Sequence, residues 1–392
     1  MRQALIVFAK ELNDALRDRR TLLRILLPAL LMGPLLLTAL SGLIASFEAQ
    51  AEKREVVVEG RDNGPTLVNF IERQTYTLVG MKGATNREGY EALLRDGKAT
   101  APMLVIPKDF EAQLLRGEAP VVEVVSDSAN QRASAGVGMI KGLLYAFNHE
   151  RASLNLAMRG VSVDLLEPID IQERDLASAQ ARATRLTSIL PMFIIMAVLY
   201  GALTAALDST AGERERGSLE PLLMNPVPHG ALVAGKWGAV ALLGMAVALL
   251  SSLSFVPAQW LLKSDVLQAQ FSFGLPEVLA FWLLQVPLAA GLSGLLMALA
   301  IRSKSFKEAQ AGSALVVTAV SLAPMVSVLN PGGEAPWYLW VPGLAQNTLM
   351  LQVLKGEALR WSQVVPGVVV GFALAAVTLA YVARSMRAAV AR

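Results

Sequence analysis

Cysteine is absent from the 392 residues, histidine occurs twice, and only 17% of the residues are charged. The missing cysteine excludes disulfides, thiolate chemistry and Cys-ligated zinc, and it leaves the redox compartment open. A complete phosphate loop is also lacking. Gly230–Lys236 spells G-x-x-x-x-G-K, but Trp237 follows where Ser or Thr would hold magnesium, and no strand precedes it. The chain therefore carries no visible ATPase engine.

What is abundant is apolar: 54% of the residues are hydrophobic and the mean hydropathy is +0.47. A soluble chain could not bury that much apolar side chain, so the sequence reads as a membrane protein. A span needs roughly 20 apolar residues, and the qualifying windows are Leu22–Phe47, Leu186–Leu207, Trp237–Leu262, Val278–Ile301, Ala311–Leu329 and Val364–Ala383. The first is too long and too late for a cleaved signal and is read as a retained span. The pI near 9.1 does not argue for nucleic acid, because the net charge is only +3 and the basic residues gather beside the spans.

Lys and Arg mark the cytoplasmic side of short loops. Arg2, Lys10, Arg17, Arg19, Arg20 and Arg24 precede span one; Arg214, Arg216 and Lys236 follow span two; Arg302, Lys304 and Lys307 follow span four; Arg384, Arg387 and Arg392 close the chain. Both termini are thus expected in the cytoplasm. His149 and His229 then fall on opposite sides of the membrane and share neither a metal site nor a triad. The span centres hold no charge, which disfavours an ion-coupled carrier. Asp208, Glu277 and Glu308 sit at span ends and read as interfacial.

The expected fold is a polytopic α-helical membrane protein of six transmembrane helices, with an α/β extracytoplasmic domain, residues 48–183, between helices one and two. Its expected strands are Glu55–Glu59, Pro102–Ile106 and Val121–Ser126. Its helices are expected at Thr66–Arg73, Arg87–Arg95 and Lys108–Arg116, stopped by Gly97 and Gly117, with a long helix over Ala129–Arg159. Residues 1–21 form an amphipathic helix with Leu5, Phe8, Leu12 and Leu16 on one face, suited to the membrane interface. Residues 208–236 form a cytoplasmic segment. Residues 330–363 read as an outer, partly re-entrant stretch, with Trp337, Tyr338, Trp340 and Trp361 at headgroup depth.

Within the cytoplasmic segment, GERERGSLEPLLMNP (Gly212–Pro226) sets two Glu-Arg pairs before Leu219, Leu222, Leu223 and Met224, with Ser218 placed to start a short helix. A solvated turn that only satisfies the charge rule is the plain alternative; a docking handle for a partner is the functional one. Asp109, Glu111 and Asp127 in the outer domain read as solvated acids rather than a catalytic pair. Ser41, Ser251, Ser252, Ser254, Thr204 and Ser321 lie within spans, where such residues more often pack helices or bond backbone than line a pore. Pro28, Pro34, Pro191, Pro257, Pro287 and Pro324 interrupt spans and permit kinks.

Four stretches together resemble the permease subunits of type-2 ABC exporters, in the sodium and drug exporter branch with a large outer domain. KELNDALRDRR followed by LLRILLPALL resembles the family's elbow helix and first span. ERERGSLEPLLMNPV followed by AGKW resembles its coupling segment, with Ser218 where Thr is commoner and Pro221 less usual. GKATAPMLVIPKDFEAQLLRGEAPVVEVVSD and PGGEAPWYLWVPGLAQNTLMLQVLKGE resemble parts of its outer domain and outer helices. The resemblance implies that Glu213, Arg214, Glu215, Arg216, Gly217, Ser218, Leu219 and Glu220, with Asp18, Arg19 and Arg20 of the elbow, contact a separate ATPase. It further implies two ATPase copies that bind ATP and Mg, a permease homodimer or close heterodimer, no cofactor in this chain, and a place in the bacterial inner membrane. A receptor or tether acting through the outer domain is the alternative reading. Neither reading names a substrate.

Overall fold

The computed structural model describes residues 2–52, 54–99, 101–129, 131–166, 168–169, 172, 174–218, 221–222, 224, 227–330 and 334–390. The chain divides into two compact units, one of residues 45–175 and one of residues 1–44 with 176–392.

Helix α1 (Arg2–Arg17) is followed, one residue later, by α2 (Arg19–Glu52), which carries the first apolar window. The buried positions of α1 are Val7 and Glu11, while Leu5, Ile6 and Leu16 are exposed. The expected stripe is divided: Leu5 and Leu16 stay outward, whereas Phe8 and Leu12 are half-buried and the Phe8 ring lies against Gly238. The fully buried face runs through Val7 and Glu11.

In the smaller unit, β1 (Glu55–Glu59), α3 (Pro65–Arg73), β2 (Thr77–Val79), α4 (Arg87–Arg95), β3 (Met103–Val105), α5 (Phe110–Leu115) and β4 (Glu123–Val125) build a four-stranded sheet in the order β2-β1-β3-β4. β1 pairs in parallel with β2 and β3, and β4 runs antiparallel to β3. Val56 and Val58 of β1 bury against Leu67, Phe70 and Ile71 of α3 and Phe147 of α6 (Gln131–Met158), whereas Val57 meets Tyr90 and Leu94 of α4. β1 is thus apolar on both faces, as a strand covered by helices on both sides must be. Gly97 and Gly117 end α4 and α5 with φ of +70° and +78°, the left-handed conformation that stops a helix. β2 was not expected: three residues between Thr75 and Gly80 give too short a pattern, and the strand exists through its pairing to β1.

The larger unit continues with α7 (Ala179–Thr187) and α8 (Leu190–Leu207), the latter prolonged by a π-helical turn, Asp208–Gly212, and a helical turn, Glu213–Glu215. There follow α9 (His229–Ala258), α10 (Asp265–Gln270), α11 (Leu275–Ala300), α12 (Phe306–Leu322), α13 (Met325–Leu329), α14 (Leu344–Leu354) and α15 (Trp361–Val390). Among the described residues, six helical stretches are long and apolar enough to cross a membrane: Leu22–Ser46, Leu190–Glu215, His229–Leu261, Leu275–Ala300, Phe306–Ser327 and Trp361–Arg387. The second and third reach further into the expected cytoplasmic segment than the hydropathy windows did, so Gly230–Lys236 lies on a helix. The fourth is the most enclosed, with 78% of its apolar window buried, and the first, fifth and sixth are outer helices at 17%, 22% and 22%.

Close backbone approach holds this unit together. A Cβ on Gly371 of α15 would stand 2.3 Å from Pro287 O of α11, and one on Gly33 of α2 would stand 2.3 Å from Ser254 Oγ of α9. Small residues at such crossings let helices pack where lipid offers no hydrophobic drive. Ser41 lines no pore: its Oγ accepts from the backbone N–H groups of Lys263 (2.5 Å) and Ser264 (2.9 Å), tying α2 to the turn after α9. Pro191 falls in the first turn of α8 and interrupts no helix; Pro324 stands at the break between α12 and α13 within the fifth stretch, and Pro28, Pro34, Pro257 and Pro287 lie inside helices. Tyr338 also departs from expectation. It is 1% exposed and its hydroxyl accepts from Asn330 Nδ2 at 2.7 Å, while Trp337, Trp340 and Trp361 are exposed as interfacial rings should be.

Candidate functional site

The charged segment after α8 is held by a buried ion cluster whose centre is Lys236, 0% exposed, on the first turns of α9. Lys236 Nζ lies 3.0 Å from Glu11 Oε1 of α1, 2.7 Å from Glu213 Oε2 and 3.0 Å from Ser209 O. The Glu213 contact is a close ion pair without hydrogen-bond alignment, and the other two are hydrogen bonds. Lys10 Nζ extends the cluster outward to Glu11 Oε1 (3.1 Å), Asp14 Oδ2 (3.3 Å) and Glu213 Oε1 (3.6 Å). Two ammonium groups thus neutralise the two enclosed carboxylates, the condition for keeping such charges out of water. Burial works against the Lys10 ammonium, but Glu11, Glu213 and Asp14 outweigh it and hold its pKa above the ordinary lysine value.

Local structure explains how the partners meet. A π turn interrupts the usual i→i−4 ladder, and within Asp208–Gly212 the Ser209 carbonyl is available to Lys236. Opposite, α1 can approach α9 because Gly235 has no side chain. A Cβ there would stand 2.7 Å from both Ala4 O and Val7 Cβ. A cavity of about 80 Å³, large enough for water, adjoins the cluster and is bordered by Glu11, Asp14, Asp208, Glu213 and Arg216.

The remaining charges of the segment reach other loops. Arg214 Nη1 donates to Ser303 O (3.2 Å), and Glu215 Oε2 accepts from Phe306 N (2.7 Å), so both hold the loop between α11 and α12. Arg216 Nη1 bonds Asp208 Oδ1 (3.0 Å) and stays exposed. Gly217 has φ +68° and ends the helical turn. Ser218 Oγ donates to Glu213 O at 3.2 Å, a bond back to the preceding turn; the positions it was expected to cap begin at Leu219 and Glu220, outside the described residues. Leu219, Glu220, Leu223, Asn225 and Pro226 lie outside the described residues, while Met224 is 86% exposed.

Of the residues expected to face a partner, Glu213 therefore points inward, Arg214 and Glu215 bind a neighbouring loop, and Arg216 and Gly217 stay at the surface. Asp18 and Arg19 stand exposed at the break between α1 and α2; the Arg20 side chain lies outside the described residues. Lys236, Glu11, Lys10 and Asp208 were not expected in the set. The G-K pair of the incomplete phosphate loop was the signal for Lys236, since a charged residue opening an apolar span calls for a partner.

In the smaller unit, Glu111 accepts from Thr66 N (3.3 Å) and from the Thr66 hydroxyl, capping α3; Asp127 Oδ1 accepts from Ala129 N (2.9 Å). These are structural roles. Among the described residues, no three His, Asp or Glu side chains are arranged to hold a metal ion.

Residues 20–384 match the family described as ABC-2 family transporter protein. Over 361 residues the chain is 29% identical to the ABC transporter permease protein NatB of Bacillus subtilis (strain 168), covering 89% of this chain and 89% of that protein. No solved structure gives a significant match.

Proposed function

The chain belongs to the ABC-2 family of transporter proteins and is a multi-pass ABC transporter permease; from that premise we propose that it works as a dimer driven by two separate ATPase subunits. Each ATPase docks on residues 208–236, and the export path runs along the dimer interface. ATP and magnesium bind the partner, and this chain supplies no cofactor. Both termini face the cytoplasm, and the α/β unit lies on the opposite side of the membrane. The charge pattern of the short loops supports that orientation.

The observation that carries the reading is the Lys236 cluster with its neighbours. Residues Gly212–Ser218 are joined to α1 through Glu213 and Glu11, to α9 through Lys236, and to the start of α12 through Glu215. A push on this segment would therefore move α8, which it prolongs, together with α1, α9 and α12. Ligand-driven switching needs a difference in ATP affinity between two arrangements, and a rigid junction is how that difference would reach the spans. Exposed apolar faces on the outer spans, among them Leu27 and Leu35 of α2 and Leu315 and Leu322 of α12, leave room for a second permease. The similarity to the Bacillus permease protein supports permease activity; it selects no substrate here.

The test is to pull down the tagged chain from its host in nanodiscs, identify what copurifies and assay ATP hydrolysis. A stoichiometric phosphate-loop ATPase, lost when residues 213–220 are scrambled, is expected. A homo-oligomer without ATPase would replace this reading with a receptor or tether.

A further inference from the structure

Besides the ion cluster, a half-open space in the larger unit has the size and chemistry of a ligand site. It is a cavity of about 350 Å³ between the first turns of α11, the short helix α14 and the first turns of α15. Its walls are almost wholly apolar, with Leu283, Leu284 and Pro287 on one side and Val364, Gly367 and Val368 on another. That volume falls within the range of about 300–1,000 Å³ usual for small-molecule sites. We infer that it binds one acyl chain of an anionic membrane phospholipid, with the headgroup at Arg360.

The position of the space fits one leaflet. Both helices begin at the same end, and their wall residues occupy the first ~18 Å at 1.5 Å rise per residue, about half of a hydrocarbon core about 30 Å thick. The walls are continuous with the lipid-facing surface: Leu283 is half exposed, as is Val365 beside Val364. The helices meet tightly deeper down, where Gly371 touches Pro287 O, and part above it. Gly367, one turn earlier in the G-V-V-V-G run of α15, meets nothing closer than 3.5 Å to a built Cβ. The glycine that packs and the glycine that borders the void are thus separate.

The mouth supplies the charge. Arg360 is exposed, joins no ion pair among the described residues, and stands between two wall residues, Leu359 and Trp361. Lys355 is already paired with Glu334 at 3.3 Å, and Glu357 is not part of the wall. Trp361, 83% exposed, is the ring expected at headgroup depth. Inside, the one polar wall residue is Gln346, whose Oε1 accepts from Gly343 N (2.8 Å) and whose Nε2 lies beside Gly367. An exposed arginine flanked in sequence by two wall residues, with an apolar slot one leaflet deep, selects an anionic amphiphile, and the bilayer supplies it at high local concentration.

The experiment uses the full chain in phosphatidylcholine vesicles carrying a trace of phosphatidylglycerol or phosphatidylcholine with a photoreactive tail, followed by peptide mapping. Labelling is expected to concentrate on 280–287 and 361–368, several-fold higher with the glycerol headgroup. Arg360→Gln should remove that headgroup preference. Gly367→Leu should reduce labelling by both probes at these peptides and leave labelling of residues 23–35 unchanged, and Gly367→Ala, whose Cβ fits at ordinary contact, should keep it. Equal labelling by both headgroups would overturn the anionic assignment, and labelling indifferent to Gly367→Leu would overturn the site itself.

Discussion

Lys236 Nζ and Glu11 Oε1 lie 3.0 Å apart although 225 residues separate them in the chain. The bond joins α1 to the first turns of α9, and it is closed to water on the lysine side. Removing one member of such a buried group leaves the other charges uncompensated, which costs about 3–5 kcal/mol. Lys236→Met is therefore expected to lower the thermal midpoint of the purified protein sharply. The triple variant Lys236→Met, Glu11→Gln, Glu213→Gln should regain most of the loss, because no enclosed charge is then left unpaired. If the triple variant were as unstable as the single one, the lysine would act through packing alone.

Gly235→Ala makes a separate test of the same junction. The added methyl would stand 2.7 Å from a backbone carbonyl, Ala4 O, which cannot swing away as a side chain could. We expect α1 to shift or detach from α9. The chain contains no cysteine, so spin labels at Arg17→Cys and Leu242→Cys report that distance directly. A narrow distribution in the parent should broaden in the Gly235→Ala background, and an unchanged distribution would show that α1 is held elsewhere.

The spans, the strands Glu55–Glu59 and Met103–Val105 and the helix Arg87–Arg95 were legible because each rests on a local pattern of apolar residues or caps. The site was legible only in part. The segment Gly212–Ser218 stands out by its charge, but which of its side chains turn inward depends on the π turn and on residues far away in sequence. Glu11 fell on the polar face of a helix read for its apolar stripe, and its ion pair with a span residue is a tertiary fact no periodicity carries. Tyr338 was misplaced for a like reason: an amphipathic ring fits the interface and a buried site equally well until Asn330 is seen beside its hydroxyl.

Ser41→Ala probes the tie between α2 and the turn after α9. The substitution leaves the backbone N–H groups of Lys263 and Ser264 without the hydroxyl they share in a buried place. An unsatisfied buried donor costs about 1–3 kcal/mol, so a lower thermal midpoint is expected with ATPase binding retained. Ser41→Thr, which keeps the oxygen, should be milder. Equal midpoints for Ala and Ser would mean that water or another group replaces the hydroxyl.

Docking and transmission should separate in coupling measurements on the segment 208–236. Arg216 and Met224 are exposed, and among the described contacts Arg216→Glu removes only the exposed bonds to Asp208 Oδ1 and O. Arg216→Glu with Met224→Asp is therefore expected to abolish copurification of the ATPase while leaving the thermal midpoint near that of the parent. Glu215→Gln acts differently, since it keeps the side-chain shape at an exposed position but weakens the acceptor that holds Phe306 N at the start of α12. The ATPase should still bind to that variant, but stimulation of its turnover by the permease should fall several-fold. Loss of binding in Glu215→Gln, or full stimulation in the surface pair, would reverse the assignment of which residues dock and which transmit.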